Sequence, residues 1–148
     1  MIAATIDQEI KKAMLAKDQA QLRGLRAIKA ALLLAKTEKG QEDALTEDAE
    51  LKILQRLVKQ RKESANIYKE QGREDLYQIE QEEIEVISRF LPQQLDRDAL
   101  EAALKAIIAE TGANSVKDMG KVMGLANKQL AGRADGKLIG EVVKALLA

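Results

Sequence analysis

One arginine and two glutamates stand out for where their spacing puts them. Placed at about 100° per residue, residues 47–71 form a helix with Leu51, Leu54, Leu57, Val58, Ala65 and Tyr68 on one face, and Arg61 falls near its centre. On the next helix, Leu76, Ile79, Ile87 and Phe90 share a face with Glu80 and Glu83. A short turn at Gly72 makes the two helices antiparallel, so these faces meet and the guanidinium can pair with one or both carboxylates. Arg61, Glu80 and Glu83 then read as a structural ion pair that fixes helix register, because an unpaired charge in such a place costs several kcal/mol. The alternative is an arginine that grips an anionic ligand. No metal site is expected, since helical di-iron centres require a Glu-x-x-His pattern and the chain has no histidine.

Two further groups of cations have helical spacing. Lys52, Arg56 and Lys59 share the side of the third helix away from Arg61, where they form either a solvated face laced with Glu63 or a row able to contact phosphates. In the tail, Asp118-Met-Gly-Lys-Val-Met-Gly124 places Gly120 and Gly124 inside a helix, where each costs about 1 kcal/mol relative to alanine. Four-residue spacing puts both on one face. That face serves either tight helix–helix packing or the approach of a nucleic-acid backbone, with Lys121 and Lys128 beside it. The Gly132-Arg-Ala-Asp-Gly136 loop adds Arg133 and Lys137 at the entrance to the last helix, with Asp135 placed to cap it. Cations beside free helix N–H groups suit an anion. Lys121, Lys128, Arg133 and Lys137 are therefore the candidate RNA-contacting set.

The missing residue types exclude more than the present ones suggest. Without cysteine there is no disulfide framework, thiolate nucleophile or zinc knuckle. Without histidine there is no Ser-His-Asp triad and no imidazole acid or base near neutral pH. No catalytic residue and no cofactor site can be assigned from residue chemistry. Twenty-four basic and twenty-four acidic residues give a formal net charge of zero, so any RNA contact must come from a local patch. No window approaches the ~18 apolar residues needed to span a bilayer, and Met1 to Asp7 lack a signal-peptide layout. A cytoplasmic protein without a membrane partner is the expectation.

The elements that must position these groups are all helices. Aromatics are 2% of the chain, Pro92 is the single proline, and Ala, Leu, Lys, Glu and Gln dominate. Thr5-Ile-Asp-Gln8 fits a capping box for a first helix to about Ala16, with Ile6, Ile10 and Met14 on one face. Asp18 caps a second helix to about Lys39, stopped by Gly40, with 41–45 as a loop. Thr46 caps the third, which stops at Gly72, and the fourth reaches Phe90. Leu95, Asp96 and Leu100 match a hydrophobic staple around the cap of a fifth helix that ends at Gly112. Ser115-Val-Lys-Asp118 starts a sixth helix running to about Leu130, and a seventh follows Gly136. The chain is thus expected to be all-α, with a four-helix N-terminal domain at 1–92 and a small three-helix tail domain at 93–148.

Six segments occur in an order that resembles a known family. They are Leu25-Arg-Ala-Ile-Lys29, Val58-Lys-Gln-Arg-Lys-Glu-Ser64, Gly72-Arg-Glu-Asp-Leu76, Phe90-Leu-Pro-Gln-Gln-Leu95, Asp118-Met-Gly-Lys-Val-Met123 and Gly132-Arg-Ala-Asp-Gly-Lys137. Together they resemble the YqeY family of small bacterial proteins over nearly the whole chain. The last third is similar to the tail domain of the GatB subunit of tRNA-dependent amidotransferase. The resemblance implies a helical N-terminal domain, a three-helix tail of GatB/YqeY type, and a family label of carbon–nitrogen ligase activity with glutamine as amido-N donor. It carries over the tail pattern at Asp118, Gly120, Lys121, Gly132, Asp135 and Lys137 as fold and RNA-contact positions. It does not carry over the amidotransferase's catalytic body or its amidase subunit, whose chemistry has no counterpart in this chain. The implied function is a tRNA- or aminoacyl-tRNA-associated binding module, alone or beside a catalytic amidotransferase or synthetase subunit. The alternative is a helical protein–protein adaptor with no RNA role.

Overall fold

A computed structural model describes residues 1–38 and 45–148. Among the described residues there are seven α-helices and no strand. They are α1 (Ile2–Leu15), α2 (Gln19–Glu38), α3 (Glu47–Glu70), α4 (Glu74–Ser88), α5 (Arg97–Thr111), α6 (Met119–Gln129) and α7 (Gly136–Leu147). The expected end of the second helix at Lys39–Gly40 and residues 41–44 of the expected loop lie outside the described residues. The chain divides into two compact units, Met1–Leu91 and Pro92–Ala148.

In the first unit, α3 and α4 pack along each other through the turn at Gly72, whose φ of 71° is one that glycine adopts without strain. The core holds Leu22, Leu25, Ile28 and Leu32 of α2, Leu54 and Val58 of α3, and Ile84, Val86 and Ile87 of α4. At Gly24, α2 comes so close to α4 that a Cβ there would lie 2.6 Å from Val86 Cγ1 and 2.7 Å from Val86 Cβ. Not every apolar position is covered: Met14 is 54% exposed and Ile79 39%. Ala13 takes the buried position on α1 in place of Met14.

Several caps follow the local signals. The Asp18 side chain accepts the Gln21 N–H at 3.1 Å, and Thr46 Oγ1 accepts the Ala49 N–H at 3.2 Å. Asp96 accepts the Ala99 N–H at 2.7 Å, and α5 closes at Gly112 with φ 71°. Three expectations are corrected. The first helix starts at Ile2, not at a Thr5 capping box, and Thr5 Oγ1 only donates back to the Ile2 carbonyl. The cap comes instead from Glu50, fully buried in α3, whose two carboxylate oxygens accept the Ile2 N–H at 3.2 Å and the Ala3 N–H at 2.7 Å. Second, α4 ends at Ser88 and a tight turn follows, with the Phe90 N–H donating to Ile87. Third, the Ser115 side chain makes no capping hydrogen bond; Val116–Asp118 form a short 3₁₀ turn, and the Asp118 carboxylate accepts from the Asn114 N–H at 3.2 Å.

In the second unit, Leu100, Leu104 and Ile107 of α5 pack with Val122 and Ala126 of α6 and with Ile139, Val142 and Val143 of α7. No described helix is long and apolar enough to cross a membrane.

Candidate functional site

In the first unit the charged residues gather where α2, α3 and α4 meet. Arg61 Nε donates to Glu83 Oε2 at 3.1 Å, and Arg61 Nη1 donates to the Leu57 carbonyl at 3.4 Å. Both side chains of the pair are mostly buried, at 19% and 15% exposure. From α2, Arg23 Nη2 donates to Glu82 Oε2 at 2.5 Å, and Arg23 Nε lies 3.8 Å from Glu83 Oε1. Glu83 thus sits between two guanidiniums from different helices. Glu80 is not brought into the pair: no Arg61–Glu80 contact falls within ion-pair distance. Burial, then the Glu83 charge, pushes the Glu80 carboxyl above its ordinary range, against the pull of Arg61. Arg23 was not legible as a partner, because only the packing of α2 against α4 delivers it. With Arg61 committed to Glu83 and to a carbonyl, the cluster works as a brace across three helices. No group of three or more metal-ligating side chains is placed to hold a metal among the described residues.

Glu50 is a second buried acid that sequence reasoning missed. Its one available signal was a glutamate at the fourth position of α3, beside the apolar residues Leu51, Ile53 and Leu54. A cleft of about 270 Å³ opens beside it, lined by Met1, Ile2, Thr5, Glu47, Leu51 and Phe90.

In the second unit, the four candidate cations differ in their surroundings. Lys121 and Lys128 are exposed on α6, and Lys137 is exposed in the first turn of α7. Arg133 is half-buried, and its Nε donates to the Gln93 carbonyl at 3.2 Å. The same turn is held twice more: Gln94 Nε2 donates to the Gly132 carbonyl at 2.6 Å, and the Leu95 N–H donates to the Arg133 carbonyl at 2.9 Å. The Pro92–Leu95 segment therefore docks on the turn between α6 and α7, joining two motifs 40 residues apart in sequence. Gly132 has the positive φ of 75° that this turn requires. Asp135 occupies the N-cap position of α7, where its carbonyl accepts from Ile139, but its side chain makes no capping hydrogen bond.

The reading of Gly120 and Gly124 as a tight helix–helix contact is corrected. Both are exposed, and a Cβ added at either would meet nothing within 4 Å. The buried side of α6 is Val122 and Ala126, continued by the buried Leu130 just past its end. On the solvent side, at 100° per residue, Gly120, Gly124, Lys121 and Lys128 fall within an arc of about 100°. Lys121 and Lys128 are separated by roughly 10 Å along the axis. No acidic residue occurs in α6.

Three curated proteins named "Altered inheritance of mitochondria protein 41, mitochondrial" are similar to this chain. That of Clavispora lusitaniae is 33% identical over 90 residues, covering 61% of this chain and 51% of its own length. That of Meyerozyma guilliermondii is 34% identical over 87 residues, covering 59% and 44%. That of Eremothecium gossypii is 34% identical over 88 residues, covering 60% and 48%. The chain thus spans about half the length of the curated relatives it matches. The family model described as "Yqey-like protein" matches residues 3–147, nearly the whole chain, and the chain belongs to the YqeY-like protein family.

Proposed function

We propose that the chain is a binding module whose two units act as separate domains, and that the tail, residues 92–148, presents α6 to tRNA or aminoacyl-tRNA. The module acts alone or as the partner of a catalytic amidotransferase or synthetase subunit, and it does not turn over substrate by itself. The observation that supports this best is the solvent face of α6: two glycines with open space above them, two exposed lysines and no acid. Without a Cβ, a phosphodiester backbone can approach the helix closely, and the lysines supply the charge such a backbone requires. Charge is also segregated within the tail. Residues 119–148 carry five basic and two acidic side chains, whereas residues 92–118 carry three basic and five acidic ones. Arg133 serves chiefly to hold the turn, so Lys121 and Lys128 carry the binding, with Lys137 near the start of α7.

An electrophoretic titration with tRNA at two salt concentrations tests this. The wild-type chain should bind at low salt and weaken as salt rises, and a K121Q/K128Q variant should lose most of the affinity while keeping its circular dichroism spectrum. No binding at low salt, or equal binding of polyglutamate in competition, would overturn the reading. Capture of a protein partner by the α6 face after nuclease treatment would favour the adaptor role instead. Incubation with glutamyl-tRNA, glutamine and ATP should yield no amidated product. Turnover abolished by altering one of the chain's own residues would refute the non-catalytic part of the proposal.

A further inference from the structure

The acids and bases of the first unit are not evenly mixed over its surface. Between Leu51 and Lys62, α3 holds Lys52, Arg56, Lys59, Arg61 and Lys62 and no acid. Arg61 turns inward to Glu83. The carboxylates of α4 that could balance the others, Glu82 and Glu83, are engaged at the inner seam by Arg23 and Arg61. Lys52, Arg56 and Lys62 are exposed, and among the described residues no carboxylate lies within ion-pair distance of them. The wheel places these three within an arc of about 120° and over roughly 15 Å of helix. Glu63, exposed on the same face, bounds the row.

The composition of the row identifies its partner. The exposed residues of this window are Lys52, Arg56, Lys59, Gln60 and Lys62. None is apolar, so the row has nothing to insert into a bilayer, as an interfacial helix must. Lysine, arginine and glutamine are the side chains that contact phosphate and sugar along a nucleic-acid strand. We propose that this α3 row is a nucleic-acid-contacting surface of the first unit that holds a phosphodiester backbone. It rests on residues of α3 alone and stands or falls separately from the reading of α6.

The test compares the full-length wild type, K52Q/R56Q/K62Q and K121Q/K128Q for binding of a single-stranded oligouridylate and of a random-sequence duplex across a salt series. Binding of polyglutamate and of phosphatidylserine vesicles is measured alongside. All three substituted α3 positions are exposed, so the urea midpoint should not move. The α3 variant is expected to bind about tenfold or more weakly at low salt. Its slope of log K against log salt should fall by about 2 on single strands and about 3 on the duplex, as expected for three lost cations. An unchanged affinity and slope in this variant overturns the proposal, and if K121Q/K128Q alone loses binding, the α6 reading survives without it. Loss in the α3 variant alone supports the proposal and removes the α6 reading. No nucleic-acid binding by wild type, or vesicle or polyglutamate binding of equal strength, overturns it as well.

Discussion

Replacing Gly24 with alanine sets two physical effects of opposite sign against each other. Within a helix, alanine is favoured over glycine by about 1 kcal/mol, so local propensity alone predicts a more stable protein. The structure predicts the opposite, because the new methyl would lie 2.6 Å from Val86 Cγ1 and 2.7 Å from Val86 Cβ. A valine rotamer change could move the first atom but not the second, which is fixed to the α4 backbone. The helices themselves must separate, and Leu25, Ile28 and Ile87, all essentially buried, lie in the contact that would open. Overpacking of this kind costs about 1–3 kcal/mol, and a clash with a backbone-anchored carbon belongs at the upper end. Net of propensity, Gly24→Ala should lose about 2 kcal/mol. With a urea m-value of order 1–3 kcal/mol per M, the midpoint followed by far-UV circular dichroism should fall by about 1 M. The partner substitutions sharpen the test. Val86→Ala leaves the offending Cβ in place and should relieve G24A only in part. In Val86→Gly the glycine moves to the facing helix, so G24A/V86G should be less damaging than the sum of the singles by at least about 1 kcal/mol. A midpoint for G24A equal to or above wild type, or strict additivity in the double variant, would refute the reasoning.

Three other outcomes follow from the described contacts. Glu50→Gln should cost about 1–2 kcal/mol, because its amide group faces an N–H donor of α1, and Glu50→Ala more, with two orphaned donors; hydrogen exchange at Ile2 and Ala3 should quicken in both, and unchanged exchange would sink the cap assignment. Because Glu83 is shared by Arg23 and Arg61, Glu83→Gln should cost more stability in urea unfolding than Arg61→Met, the latter losing about 1–2 kcal/mol, and the reverse order would show that Arg23 does not contribute. Glu80 has a folded-state pKa above its unfolded one, so its contribution to stability is present below the ordinary carboxylate range and is lost as pH rises through the folded pKa. Glu80→Gln should therefore raise the midpoint at neutral pH, with the gain shrinking as the solution is acidified, and a variant no more stable than wild type at pH 7 would contradict this.

The portions of the structure legible in the sequence are those governed by neighbours. Asp18, Thr46 and Asp96 each cap a helix three residues on, and Gly112 ends α5, because these contacts depend on local backbone alone. Arg61 and Glu83 could be paired on paper because a single tight turn at Gly72 dictates how α3 meets α4. The third participant, Arg23, arrives from a helix whose placement no local rule specifies. The same limit explains the misplaced start of α1: the local Thr5 box competes with the buried Glu50 carboxylate, 48 residues on from Ile2, which supplies two acceptors in place of one. It also explains Gly120 and Gly124, whose spacing fits a packed seam and an open face equally well until the position of α5 and α7 is known.

What the sequence determines by itself is the class and the inventory: helices from composition and period, and a polar chemistry of carboxylates, amines, guanidiniums, carboxamides and hydroxyls, with no imidazole and no thiol. The tertiary structure alone decides which of those groups are consumed internally. It turns Arg61, Arg23 and Glu83 inward, ties Arg133 to the Gln93 carbonyl, and leaves Lys52, Arg56, Lys62, Lys121 and Lys128 facing water. The reason is physical: a charge on a helix is committed or free according to what the next helix brings within a few ångströms, and that distance is not encoded in the helix itself.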